Sequence, residues 1–335
     1  MQALFLDSGG LSWRTDLPVP VPAPGYALIR VERAGICSTD QQLLRGMYRF
    51  QGIPGHEFVG TVEAVSPELM EATSWIGQRV VGEINIACGS CDFCLRGLVK
   101  HCRHRRVLGI RQHPGAFADY LTLPLKNLHA VPHDLSVDAA VWIEPLAAAL
   151  DILARIDVAG RSSVAVVGDG RIAQLATRVL LKSDIDVKVF GHHAEKLDRL
   201  PAAARTALQP DSSDLRQFDA VVECSGSRSG LETALQLVRP LGRVILKSTL
   251  NEPVPLSTED LVVNEITVLG SRCGDFTQAI GFLQAEQEYG VNNPAQKKDQ
   301  TLAGLVDAHF EFKDGLAAFD YLRRAPVIKV VLDIA

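Results

Sequence analysis

The chain is 335 residues long, and its 47% hydrophobic and 22% charged residues describe a globular protein with enough core for two domains. A net charge of −5 argues against a surface for the phosphates of DNA or RNA. No apolar run approaches the roughly 20 residues of a membrane span, and MQALFLDSGG lacks a basic region ahead of an apolar one, so a cytoplasmic protein without a secretory leader is expected.

In chain order, residues 1 to 145 read as β-rich. Pro18–Pro24 is extended chain, and Tyr26–Gly35, Phe58–Val65 and Gln78–Ile84 are β-branched runs bounded by Gly and Pro. The texture changes at Ser163–Ser183, where an apolar strand passes through a glycine turn into a helix with spaced apolar positions. Strand-like Asp186–Gly191, Phe218–Gly226, Gly242–Ser248 and Ile266–Ser271 follow, with helical stretches such as Ser229–Val238 between them. That alternation predicts a parallel sheet with helices on both faces. Lys297–Gln300 reads as a polar loop, and the tail Phe310–Ile334 as a helix and a strand that rejoin the first domain.

Cys88, Cys91, Cys94 and Cys102 have the spacing C-x2-C-x2-C-x7-C, which suits one ion held by four thiolates about 2.3 Å away. An iron–sulfur run would need a shorter last gap and a proline after it, where Arg103 stands. A nucleic-acid zinc ribbon would need two separated knuckles.

Gly168-Asp169-Gly170-Arg171-Ile172-Ala173 is a G-x-G-x-x-A turn between a strand and a helix. Gly168 makes the turn, Gly170 lets backbone approach a pyrophosphate, and Ala173 keeps the helix close to the sheet. The helix N-terminus, with Arg171 and Ile172 in its first turn, offers free N–H groups to phosphate. Some 20 residues on, where an acidic residue would hold the ribose of NAD, the chain reads Gly191-His192-His193. Gly191 leaves room, and His192, His193 and Lys196 could face a 2′-phosphate, so NADP is expected over NAD. Arg272 is placed either against the pyrophosphate or in a surface ion pair.

Three further segments, Cys37-Ser38-Thr39-Asp40, Gly55-His56-Glu57 and Glu144-Pro145-Leu146, hold the Cys, His and carboxylate donors of a catalytic zinc. With GICSTD, GHEFVG, the four-cysteine lobe, EPLAAAL, VVGDGRIA and IKVVL in that order, the chain resembles the zinc-dependent medium-chain alcohol dehydrogenases over its length. Its EPLA segment resembles the polyol, sugar and threonine dehydrogenase branch. The resemblance implies an α/β architecture. A GroES-like β-rich catalytic domain would comprise residues 1–146 and 275–335, with a structural zinc lobe at about 85–105. A Rossmann doubly wound parallel-sheet domain would span 147–274. It implies two zinc ions per chain. One would sit at Cys37, His56 and either or both of Glu57 and Glu144, with Asp40 orienting His56. The other would sit in the four-cysteine lobe.

The activity implied is hydride transfer between a small-molecule alcohol and NAD(P), in a homodimer or homotetramer without nucleic-acid or membrane partners. Thr39 matches the hydroxyl that passes the alcohol proton outward, and Gln42 departs from relatives that carry a histidine there. Met47, Tyr48, Phe50 and Trp142 are candidate pocket residues, and Arg111 and Gln112 read as solvated loop. The alternatives are a zinc-independent quinone or enone reductase of the same superfamily, and a non-catalytic nucleotide-binding protein on this fold.

Overall fold

The computed structural model describes residues 1–156, 162–249, 253–292, 301–324 and 326–335. Strands β1 (Ala3–Asp7) and β2 (Gly10–Arg14) form a hairpin, and β3 (Tyr26–Gly35) follows an irregular Pro-rich segment. In β3 the buried residues Ala27, Ile29 and Val31 alternate with half-buried ones, the period-two pattern of a strand with one face on a core. Helix α1 (Ser38–Leu44) leads to β4 (Glu57–Val65) and β5 (Arg79–Gly82). β6 (Asn85–Ile86) and β7 (Arg106–Val107) pair at the base of the four-cysteine lobe, which encloses the one-turn α2 (Asp92–Leu95). β8 (Tyr120–Pro124), β9 (Leu128–Ala130), α3 (Val137–Ala140) and α4 (Ile143–Leu150) complete this part.

The second part alternates strand and helix: β10 (Ser163–Val167), α5 (Arg171–Lys182), β11 (Asp186–Phe190), α6 (Ala194–Leu197), β12 (Arg205–Ala207), β13 (Phe218–Glu223), α7 (Arg228–Leu237), β14 (Val238–Leu246), α8 (Thr258–Val263) and β15 (Thr267–Gly270). All six strands are parallel, in the order β12-β11-β10-β13-β14-β15. The order reverses between β10 and β13, and that switch opens a crevice at the strands' carboxyl ends. β10 shows why the sheet is covered on both sides. Val164 and Val166 enter one core, Ala165 and Val167 another.

α9 (Phe276–Asn292), β16 (Val306–Glu311), α10 (Gly315–Arg324) and β17 (Lys329–Asp333) follow. β17 runs antiparallel to β3, giving a seven-stranded sheet in the order β16-β17-β3-β4-β5-β9 with β8 beside β3. Ile36 N–H donates to Val330 O at 3.0 Å, so the tail lies against the residue before Cys37. The two parts share one apolar core, in which Trp142, at the start of α4, and Leu146 of α4 meet Leu175 and Val179 of α5 and Phe276 and Leu283 of α9. The loop expected at Lys297–Gln300 lies outside the described residues. Among the described residues no helix is long and apolar enough to cross a membrane.

Candidate active site

Cys37 caps α1, and Glu57 opens β4 with His56 just before it, so both segments deliver their donors at the same end of the sheet. The ligand atoms of Cys37, His56 and Glu57 all lie within 4.8 Å of one another. Asp40 is wholly buried and holds the cluster together. Its Oδ2 accepts the Cys37 N–H at 2.7 Å and its Oδ1 accepts the Gly55 N–H at 3.3 Å. Asp40 Oδ1 also lies 3.3 Å from His56 Nδ1, close enough for ion pairing but without the alignment of a hydrogen bond. Asp40 is thus both the third residue of a capping box on α1 and the carboxylate behind His56. Thr39 sits half-buried beside it.

Two cations enter this cluster from distant parts of the chain. Lys329 of β17 is fully buried, and its Nζ donates to Glu57 Oε2. Its ammonium lies 5.0 Å over the Trp142 ring, so Trp142 is a core residue in contact with the site. Gly35 is required here, because a Cβ would come within 2.3 Å of Lys329 Nζ. Arg171, the first residue of α5, points away from the helix N-terminus. Its guanidinium donates to Ile36 O at 2.7 Å and to Cys37 Sγ at 2.9 Å, and lies 3.6 Å from Glu57 Oε1. The sequence placed Arg171 with the cofactor residues, whereas its side chain reaches the Cys37 cluster.

These charges separate the two glutamates. Burial disfavours the Glu57 carboxylate, but Arg171 and Lys329 outweigh it and hold its pKa at about 2. Burial dominates at Glu144, and with the neighbouring Glu57 charge it pushes that carboxyl up to about 7. Burial likewise opposes the Arg171 charge, which Cys37, Glu57, Asp40 and Glu144 more than restore. Glu57 Oε1 is buried without a hydrogen-bond partner. A buried oxygen of that kind beside a thiol and an imidazole is a donor set that fits zinc. Glu144 lies outside the group of three donors, although His56, Glu57, Arg171 and Lys329 all act on its titration.

In the lobe, the sulfurs of Cys88, Cys91, Cys94 and Cys102 are separated by 3.5 to 3.9 Å. The edge of a tetrahedron with 2.3 Å bonds is about 3.8 Å, so the four thiols fit one zinc. The lobe is tied to the rest of the chain by Lys100, which pairs with Asp151 at 2.9 Å and donates to Cys273 O at 3.0 Å.

The glycine turn has the features that a dinucleotide needs. Gly168 has a φ of +124°, and at Gly170 a Cβ would meet nothing within 4 Å, leaving its backbone open to a phosphate. Ile172 is half-buried against the shared core and Ala173 is buried. The end of β11 differs from the sequence expectation. The room expected beside Gly191 is filled by Asp169, whose Cβ would stand 2.6 Å from a Cβ there. Asp169 Oδ2 accepts the N–H groups of His192 and His193 at 2.6 and 2.8 Å and contacts His193 Nδ1 at 3.0 Å, while Oδ1 lies 3.9 Å from Lys196 Nζ. A carboxylate therefore does stand at this turn, contributed by the glycine motif instead of the strand. Arg272 donates to Lys100 O, a contact that sets it against the cysteine lobe. Tyr48 and Phe50 line a cleft together with Arg111 and Gln112, the pair read as loop.

A doubly wound sheet with a dinucleotide turn beside a Cys–His–carboxylate cluster defines a metal-assisted, nicotinamide-type oxidoreductase. Residues 23–133 match the alcohol dehydrogenase GroES-like domain, and residues 193–285 the zinc-binding dehydrogenase domain. The erythritol/L-threitol dehydrogenase of Mycolicibacterium smegmatis is 30% identical over 291 residues, 78% of this chain and 80% of that one. The L-threonine 3-dehydrogenase of Anaeromyxobacter dehalogenans is 28% identical over 97% of this chain and 95% of its own. A Sinorhizobium meliloti protein solved bound to NADP superposes with a TM-score of 0.82 at 27% identity, covering 99% of both chains. The chain belongs to the zinc-binding medium-chain alcohol dehydrogenase family. It is a zinc-dependent oxidoreductase that transfers a hydride between an alcohol and NAD(P).

Proposed function

We propose that the alcohol is a hydroxylated small molecule of the polyol, sugar or amino-alcohol type, and that two zinc ions are bound per chain. The observation that carries the catalytic site is the convergence of Cys37, His56 and Glu57 donors within 4.8 Å. Cys37 Sγ, His56 and Glu57 Oε1 would hold the metal, with Glu144 as the neighbouring carboxyl. Zinc bound there supplies a Lewis acid for the substrate oxygen. Asp40 orients His56, and Lys329 fixes Glu57 by its other oxygen. Thr39 is the hydroxyl proposed to hold the substrate proton. Gln42, an amide, does not readily exchange a proton near neutral pH. The names of the relatives, erythritol/L-threitol and L-threonine dehydrogenases, support the substrate class.

The cofactor assignment changes with Asp169. His192, His193 and Lys196 do surround the end of β11, as the NADP expectation required, but the carboxylate among them opposes a further phosphate. We propose NAD as the favoured cofactor. Residues 1–146 and 275–335 are assigned to the catalytic domain and 147–274 to the cofactor domain, a division supported by β17 pairing with β3. Among the described residues β15 is an open sheet edge, and Val262 and Val263 nearby are each 74% exposed, which supports a homodimer or homotetramer; a cytoplasmic location is proposed with it. Metal analysis with an alcohol screen against both cofactors tests the reading. Two zincs per chain with cofactor-linked polyol oxidation are expected; a protein with only the lobe zinc and no turnover would overturn it.

A further inference from the structure

We propose that the cleft between Tyr48–Gln51 and Ile110–Gln112 is an anion subsite of the substrate site, and that the alcohol handled here carries a phosphate or carboxylate group. The inference rests on the dehydrogenase reading and names its class of substrate. The cleft has a volume of about 430 Å³ and is walled by two short segments, Tyr48–Gln51 and Ile110–Gln112. The first ends five residues before His56, a length of chain that reaches at most about 18 Å. The second belongs to a loop packed on Gly55. Ala116 N–H donates to Gly55 O at 2.9 Å, and a Cβ on Gly109 or Gly115 would lie 2.1 or 2.3 Å from that oxygen. Both walls are therefore fastened to the segment that carries His56 and Glu57.

The charge in this cleft is one-sided. Arg49 and Arg111 line it, one from each wall, with the neutral donors Tyr48, Gln51 and Gln112 and no carboxylate. Behind them, Arg105 and Arg272 both donate to the carbonyl of Lys100, and Arg105 Nε is buried without a partner. Burial, then the nearby Arg272 and Arg111 charges, depress the Arg105 pKa, so these cations act on one another. Several exposed arginines elsewhere are neutralised, as Arg103 is by Asp92, Arg205 by Asp186 and Arg239 by Asp219, although no described carboxylate pairs with Arg45, Arg96 or Arg324. Among the described residues neither the two arginines that line the cleft nor Arg105 and Arg272 behind them have a carboxylate partner.

The backbone adds a second, independent observation. Seven described non-glycine residues have positive φ, and three of them, Tyr48, Arg49 and Gln112, line this one cleft. Strained backbone of this kind gathers where side chains must be held for a ligand. Guanidinium groups donate paired N–H bonds to carboxylate and phosphate oxygens, and one arginine from each wall can clamp a single anionic group.

The test uses the zinc-loaded enzyme saturated with cofactor, so that the dinucleotide site is closed to the probes. Inorganic phosphate and acetate are titrated by calorimetry, and kcat/KM is measured for a polyol, its phosphate monoester and its corresponding acid. At least one anion is expected to bind, about tenfold or more weaker in Arg49→Gln and Arg111→Gln and unchanged in the exposed control Arg324→Gln. The matching anionic alcohol should exceed its neutral parent by about tenfold or more in kcat/KM. Binding of phosphate alone identifies a phosphate monoester, and of acetate alone a hydroxy or amino acid. No binding of either anion, or binding indifferent to both variants, overturns the subsite even if neutral alcohols are oxidised. Variant-sensitive anion binding without turnover of any alcohol would keep the subsite and remove the dehydrogenase reading.

Discussion

Arg171 Nη2 lies 2.9 Å from Cys37 Sγ, joining the first residue of the cofactor helix to a sulfur 134 residues earlier in the chain. A guanidinium so placed competes with a metal ion for the thiolate and repels it. Arg171→Met is therefore expected to slow chelator-driven loss of the catalytic zinc by about tenfold, some 1.4 kcal/mol, while the cofactor Kd moves by less than about threefold. Unchanged zinc release with a large loss of cofactor affinity would return Arg171 to the pyrophosphate.

Glu57 and Lys329 are both fully buried and bonded to each other. Glu57→Gln strands the ammonium and should cost about 3–5 kcal/mol in urea unfolding. The double variant Glu57→Gln with Lys329→Met removes both charges and should recover most of that. A single variant within about 1 kcal/mol of wild type would mean that the pair carries no such coupling.

Asp169 is expected to set cofactor choice. Asp169→Asn removes the negative charge but keeps an oxygen for the His192 and His193 amides. The ratio of kcat/KM for NADP over NAD should rise by about tenfold. A ratio that does not move would place discrimination elsewhere.

The four sulfurs form a closed cage, so a metal held there would contribute to folding and not to chemistry. Cys94→Ser should remove one zinc per chain and lower Tm by about 10 °C. Turnover per remaining catalytic zinc should stay within about twofold. Loss of turnover in full proportion to the lobe metal would contradict the separation.

Glu144 gives a pH signature in the metal-free protein. Its folded pKa of about 7 lies above the ordinary 4.5, so the folded state prefers the protonated acid. The carboxyl costs nothing below about pH 4.5, destabilises progressively as pH rises towards 7, and is worth about 3 kcal/mol above that. Glu144→Gln should be more stable than wild type by about that amount at pH 8 and equal to it near pH 4.5. Equal urea midpoints at both pH values would show that the acid is not held neutral.

Strands and cage were legible because their signals are local. The alternation in Tyr26–Gly35 lies within one strand, and the x2 spacings of Cys88–Cys94 within a seven-residue stretch. The glycine turn was legible as backbone, for Gly168 and Gly170 act through what they lack. Its two side chains were not: Asp169 reaches across to β11, and Arg171 leaves the cofactor turn for Cys37. A motif fixes where a Cα sits, but a long polar side chain goes to the nearest buried charge. Lys329 carried a signal that could have been used, since a lysine inside the apolar run VIKVV must be buried against an acid. What it could not reveal was the partner, 272 residues away.

That separation has a consequence for biosynthesis. Translation runs from the amino terminus, so the strand bearing Glu57 is made long before β17 emerges with the ammonium that neutralises it. Until then the sheet around β3 lacks one neighbour and the carboxylate lacks its cation. The catalytic pocket consequently cannot reach its final form until β17 has been made, 272 residues after the carboxylate it neutralises.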